Sequence, residues 1–579
     1  MGIRMKSLFF QQLSIATLLA CAPVVWAGDH VFDSGFDHRV EGPWSDAQAA
    51  RFLTQATMGP NLASIAHLRA VGYNTWFAEQ ANQAATHHRP YLEAQEAAGI
   101  DVYQNSRQEA WWLHGIRAPD QLRQRVAFAL SELFVVSDQS GAIEGQPIAM
   151  ANYYDLLVDN AFGNYRSLLE QVTLNPVMGH YLSMFKNRKT DTEENIRPDE
   201  NYAREIMQLF SVGLVKLDDS GTPLLSGGQP IATYNQDTIR GFANVFTGWN
   251  WANCPRDDGG QWWEWEYCPP GPVEWPEPGW QAWWLVPMQP WESYHASAES
   301  KQLLDYPLVA LPAGVLPGGG TAASDLHAAL DNIFLHPNVA PFVARHLIKR
   351  LVTSNPSREY VGRVADAFRN NGLGVRGDLG ATVRAVLMDS EARALPSLIS
   401  NAGKLREPLL RVAHLWRALD GRADDGRYRE WNADYYLGQA ALRSPTVFNF
   451  FLPGYRPPGE MSALGLDGPE FQITTDTTVA SIASGLGSKV FDDWRGSPWV
   501  DPEDVVVDLA PELPYASNPV RLIDRYDLLF MNRTMSTFMF NTLVNYVAAL
   551  PNANTADRRE RVQEAIWLIQ SSPEYSIER

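Results

Sequence analysis

Apolar positions recur at helical spacing through most of this chain, and short Gly and Pro turns separate the runs. Ser45 opens the first run, Asp46 to Ala56, which breaks at Met58-Gly59-Pro60. A second run spans about Leu62 to Ala70, and after Gly72 a third begins at Thr75. Gln121 to Val136 places Leu122, Val126, Phe128, Ala129, Leu133 and Phe134 at helical spacing, with Arg123, Arg125 and Glu132 among them. Tyr153 to Asn160 and Tyr165 to Leu174 continue the pattern to Asn175-Pro176. Further on, Thr238 to Val245, Asp325 to Leu335, Ala340 to Leu351, Tyr360 to Arg369, Thr382 to Met388 and Lys404 to Leu419 read as helices, and Tyr526 to Leu550 and Arg559 to Ser571 close the chain. Ser444 to Gly459 is too rich in Pro and Gly to join them. The predicted fold class is mainly α, one large multi-helix body over residues 28–579.

The most informative stretch is 187–249. A charged loop, Asn187 to Arg197, leads to Pro198 and a segment whose apolar face is Tyr202, Ala203, Ile206, Met207, Leu209 and Phe210. Asn201, Arg204, Glu205 and Gln208 recur at three- and four-residue intervals on the other face. With Pro198 in the first turn and Gly213 as the cap, the helix should run about four turns. Gly213 to Thr222 then reads as a small hairpin around Asp219-Ser220-Gly221.

Composition shifts abruptly after this. Ten of the 20 Trp residues fall between Trp249 and Trp291, interleaved with Pro, Gly and Glu, and helical periodicity vanishes. The expectation is an irregular flap over 249–300. Its rings, Trp249, Trp251 and Trp263 among them, either form a platform for stacking against sugars or pack as a flap over the helical body. Cys254 and Cys268 lie inside it and form an even pair, read as a disulfide that pins the flap. A two-thiolate metal site is the weaker alternative, since no second Cys or His pair sits nearby at zinc spacing.

The N-terminus has the parts of an export signal over residues 1–27. Arg4 and Lys6 supply the positive end, Leu8 to Ala20 is mostly apolar, and Val25-Trp26-Ala27 offers a cleavage site. Lipidation at Cys21 is the alternative, from Leu18-Leu19-Ala20-Cys21. No later stretch has the uninterrupted apolar length of a membrane span. These features predict a periplasmic or extracellular protein. A net charge of −19 argues against nucleic acid as a partner.

Familiar catalytic motifs are absent: no His-Glu-x-x-His, no Gly-x-Ser-x-Gly and no phosphate-binding loop. Gly372-Leu-Gly-Val-Arg-Gly377 matches the dinucleotide fingerprint formally, but a helix precedes it where a strand is required, so it reads as a helix-to-helix turn. No metal or cofactor is implied. Asp191, Glu193, Glu194 and Asp199 lack the spacing and Gly of a calcium loop. His180, alone in its segment, reads as a structural hydrogen-bonding residue or as a ligand contact.

Several of these segments together resemble one bacterial family, the domain of unknown function 1800 family. They are Ala49 to Gly59, Leu122 to Val135, Arg197 to Phe210, Val245 to Trp249 and Val447 to Phe451. The chain departs from the family's usual Asn at Asp199. The resemblance implies an exported, mainly helical protein, often encoded beside a second exported protein related to sulfatases, and implies no reaction.

Two functions follow from the residues. The first is a hydrolase or lyase acting on, or a binder of, an extracellular saccharide, with Glu205, Glu200 and Arg204 catalytic and Asn201, Gln208, His180, Trp249, Trp251 and Trp263 binding the polysaccharide. Glycosidic cleavage needs one protonated and one ionised carboxyl. Against it, the stripe could be a salt-bridge network locking the helix to the loop 187–197. The second is a non-catalytic helical scaffold that partners the sulfatase-like protein, using the same aromatic residues as interface anchors.

Overall fold

The computed structural model describes residues 42–252, 280–395 and 401–579. Helices dominate, and the small sheets are all two-stranded and antiparallel among the described residues. The leader 1–27 with Cys21, and Cys254, Trp263 and Cys268 within the insert, lie outside the described residues.

Local sequence decides most helix starts. The Ser45 hydroxyl accepts from the Gln48 N–H at 3.2 Å and opens Asp46–Ala56, and an Asn61 and Ser64 capping box opens Leu62–Asn82. Gly72, at φ 79°, is where that second helix kinks, so the two runs read from sequence form one bent rod. Gln121–Ser131 is buried along its whole length and ends at Glu132, short of the expected Val136. A helix enclosed on every side must bury its polar residues too, and Arg123 and Arg125 are buried with the rest.

The second half follows the expected order with shifted ends. Ala322–Leu335, Val339–Leu351, Arg358–Arg369 and Leu379–Met388 pack in succession. Gly372 to Gly377 is the turn between the last two. Two expected helices need correction. Lys404–Leu405 is a strand paired with Ile577–Glu578, and the helix begins only at Pro408. The long closing helix is two, Pro519–Met531 and Thr537–Ala549, because Asn532 turns left-handed at φ 54°.

The predicted hairpin forms at 217–223, where Asp218 takes hydrogen bonds from the Ser220 and Thr222 N–H groups and Gly221 supplies φ 75°. The described ends of the Trp-rich insert are joined at its base. Trp249–Asn250 pairs with Gln289–Pro290, and Gly248 sits so close to Trp291 that a Cβ there would lie 2.8 Å from its carbonyl oxygen. One continuous hydrophobic cluster runs from Ala49 near the start to Tyr575 near the end. Among the described residues no helix is long and apolar enough to cross a membrane.

Candidate functional site

The helix that carries the candidate residues is Asn201–Gln208, about half the expected length. Its start is delayed because the Asn187 side chain clamps the chain ahead of it. The Asn187 amide donates to the Asp199 carbonyl at 3.1 Å and accepts from the Asp199 N–H at 2.7 Å. Pro198 and Asp199 are thereby held outside the helical path, and Glu200 becomes the cap. At the other end Val212 and Gly213 both donate to the Met207 carbonyl, and Gly213 takes φ 71°.

The four polar residues do not stand side by side. Asn201, Arg204 and Gln208 are half-buried, whereas Glu205 is only 7% exposed. At 3.6 residues per turn, Glu205 lies about 60° around the helix from Tyr202, at the edge of the apolar stripe, so packing draws it inward. Tyr202, whose hydroxyl donates to Thr173 Oγ1 at 2.7 Å, fixes that rotation.

Glu200 and Glu205 have different surroundings. Glu200 accepts from Arg204 Nη2 at 2.8 Å, and from Gln236 Nε2 at 2.8 and 2.9 Å. Glu205 Oε2 is buried and has no hydrogen-bond partner among the described residues. Burial pushes the Glu205 carboxyl above the usual carboxylate range, with Arg204 opposing. The salt-bridge stripe read from sequence therefore reduces to Arg204 and Glu200; the loop is tied down by Asn187 instead.

Two phenols that sequence reading missed accompany this carboxyl. Tyr181 and Tyr234 are each pushed up to about 12, by burial first and by the charge of Glu205 second. The Tyr234 hydroxyl is also buried without a hydrogen-bond partner among the described residues. Both lie far from Glu205 in sequence, and no local motif marks them.

His180 stands one residue before Tyr181, in the short helix Pro176–Tyr181. Its ring packs against Phe185 at 4.0 Å, Trp284 at 4.4 Å and Trp251 at 5.1 Å. Burial pushes the imidazole down to about 3, so it is neutral, and its Nε2 has no partner among the described residues. Trp249 and Trp251 are buried, at 3% and 9% exposure. These two rings join the core and offer no open stacking face.

A concave region lies between four other segments: the end of helix Gln121–Ser131, the loop 209–217, helix Val339–Leu351 and the turn 447–453. The volume is about 260 Å³, and Glu132, His346, Lys349 and Arg350 face it among mostly apolar side chains. Among the described residues no cluster of three or more His, Cys, Asp or Glu side chains could hold a metal ion.

Three of the segments that frame these two regions, 122–135, 197–210 and 447–451, are among those that carried the family resemblance. Residues 51–577 match the family described as Protein of unknown function (DUF1800). The chain belongs to the DUF1800 family. No curated protein and no solved structure matches it. In this DUF1800 chain the matched region takes in both the Glu205 face and the cleft, so neither lies on an appendage to the shared fold.

Proposed function

We propose that this DUF1800 protein is exported and acts on an extracellular saccharide, with Glu205 as its proton donor. The observation that carries the reading is the Glu205 carboxyl, buried, without a partner at Oε2, and shifted by burial toward its neutral form. A general acid needs that shift to hold its proton near neutral pH. Glu200, ion-paired with Arg204, is the second carboxyl that glycosidic cleavage requires. Asn201 and Gln208 would orient sugar hydroxyls, and the His180 ring would close one wall. Cys254 and Cys268 would pair as a disulfide within the insert, and Trp263 would add a stacking ring.

The test is the mature chain from Gly28, wild type against Glu205→Gln, on a panel of bacterial and plant polysaccharides, reading new chain ends. Cleavage by wild type alone supports the assignment. Equal cleavage by both proteins, or none by wild type, removes it.

A scaffold that partners a sulfatase-like exported protein is the second reading. It is favoured by outward-facing Tyr435, Trp499 and Phe538, which are 90%, 82% and 81% exposed. Co-elution of the two purified proteins on size exclusion checks it, and separate elution at high concentration counts against it.

A further inference from the structure

The cleft between the loop 209–217 and helix Val339–Leu351 has an apolar wall, including Leu133, Val212, Phe342, Val447 and Leu452. Its polar floor differs from the usual paired arrangement. Lys349 is already engaged, donating to Asp467 at 2.6 Å and to the Pro453 carbonyl at 2.7 Å. Arg345 donates to the Gly221 carbonyl at 2.7 Å. His346 bonds through Nε2 to the Ala129 carbonyl at 2.7 Å, and burial pushes it down to about 3, so it carries no charge.

Two groups keep unused capacity. Arg350 is 2% exposed, and its guanidinium makes no hydrogen bond among the described residues. It lies over the Phe451 ring at 4.6 Å, with Nε 3.5 Å from Glu132 Oε2. Glu132 is 7% exposed; Oε1 accepts from Asn449 at 3.2 Å, while Oε2 accepts no hydrogen bond among the described residues. A buried guanidinium with open donors, beside a carboxyl with one oxygen unsatisfied, is an incomplete arrangement.

The groups behind this floor set its charge. Lys404 Nζ donates to Glu407 Oε1 at 3.2 Å and to the Arg350 carbonyl at 2.8 Å, and lies 3.5 Å from Glu470 Oε1. Arg125 donates to the same Arg350 carbonyl at 2.6 Å and leaves Nε and Nη1 buried without partners. Arg125, Arg350 and Lys404 thus face Glu132, Glu407 and Glu470. Burial pushes Glu132 and Glu470 up, toward their neutral forms. Glu407 goes the other way, because Lys404, Arg350 and Arg125 outweigh its burial. Each proton held by Glu132 or Glu470 leaves this floor more positive, and Arg350 is the member of the group's cations that lines the cleft.

We infer that this cleft binds a small monocarboxylate with an apolar body, its carboxylate on Arg350 beside Glu132 and its hydrocarbon against the Phe342 and Val447 wall. A planar guanidinium matches a carboxylate in two parallel hydrogen bonds. When Glu132 holds a proton it donates that proton to the same oxygens; a dianion would need a second cation, and Lys349 is already paired with Asp467 while Arg345 is tied to the Gly221 carbonyl. The volume of about 260 Å³ falls below the ~300–1,000 Å³ of drug-sized pockets, which limits the body to a short chain or a single ring.

The site is independent of the Glu205 face, and its test reads binding, not turnover. The full mature chain is titrated with octanoate and with octan-1-ol by calorimetry, and octanoate binding is followed by thermal shift. Saturable one-site binding of octanoate, at least about tenfold tighter than the alcohol, is expected. Leu214→Trp, at a rim position 57% exposed, should weaken octanoate at least about tenfold while leaving circular dichroism unchanged. Arg350→Gln should abolish the preference for the acid wherever it folds; if it does not fold, the rim variant decides. Equal affinity for acid and alcohol, octanoate binding untouched by Leu214→Trp, or no binding at all would overturn the inference. Glu205→Gln should bind octanoate as wild type does.

Discussion

Replacing Glu205 by Gln isolates the physical state of one buried carboxyl. The side chain is 7% exposed and Oε2 has no hydrogen-bond partner among the described residues, while the neighbouring charge of Arg204 is already paired with Glu200. Removing the Glu205 charge therefore breaks no ion pair. Breaking a buried pair costs about 3–5 kcal/mol, whereas the most an isosteric amide can lose here is one ordinary hydrogen bond, about 0.5–1.5 kcal/mol. At neutral pH the variant should stay within about 1 kcal/mol of wild type.

The pH dependence gives a sharper test. Burial raises the Glu205 pKa above its ordinary 4.5, so the folded protein holds the proton more tightly than the unfolded chain. The stability this group contributes is fully present below the unfolded pKa and is lost as pH rises through the folded one. Wild type should lose ground to Glu205→Gln as pH climbs from about 4 through the raised folded pKa. Urea denaturation at several pH values is the assay, because in a chain this long each kcal/mol moves Tm by only about 2–4 °C or less. A loss near 3 kcal/mol at neutral pH, or identical pH slopes for the two proteins, would refute the assignment of Glu205 as a buried, unpaired acid.

Other perturbations test the packing around the two regions. Lys404→Met should cost about 3–5 kcal/mol in urea denaturation, since it leaves the Glu407 carboxylate buried without its nearest cation; a cost under about 1 kcal/mol would dismiss the network as a stabilising unit. Gly241→Ala should cost at least about 3 kcal/mol or give insoluble protein, because the new Cβ would lie 1.9 Å from the Gln302 carbonyl oxygen; wild-type stability would show that the helix Gln236–Val245 moves freely off that strand. Asn187→Ala should cost about 1–3 kcal/mol by stranding the Asp199 N–H and carbonyl, and, if the Glu205 reading is right, it should lower activity more than stability; unchanged melting would mean that solvent replaces the clamp at no cost.

Periodicity read the helical order well because most of these helices carry their own signals. Ser45, Asn61, Asn235 and Ser357 cap the helices they precede, and Gly72 and Gly221 turn the chain where expected. The errors arose where distant segments override local preference. The helix at 201 starts late because Asn187 holds Asp199, and Lys404–Leu405 extends because the far end of the chain pairs with it. The inward turn of Glu205 could have been anticipated from its place at the edge of the stripe. Tyr181 and Tyr234 could not, since only the folded arrangement brings them near it.

The segment Leu122 to Val135 shows why the cleft escaped the sequence. Arg123, Arg125 and Glu132 punctuate an apolar helix, and a periodicity reading assigns such residues to a solvated face. The fold instead encloses the helix, so each charge needs a partner from elsewhere: Asp120 for Arg123, the Arg350 carbonyl for Arg125, and Arg350 and Asn449 for Glu132. Those partners lie more than two hundred residues away in two of the three cases, beyond any local pattern. Glu132 and Glu205 then stand out for one shared reason. Each is a carboxyl drawn into the interior by the packing of its helix, and each keeps an oxygen that accepts no hydrogen bond among the described residues. Burying such a group opposes folding unless a ligand or a proton completes it. Local rules of polar satisfaction fail together at these two places, and functional sites are where such failures are expected.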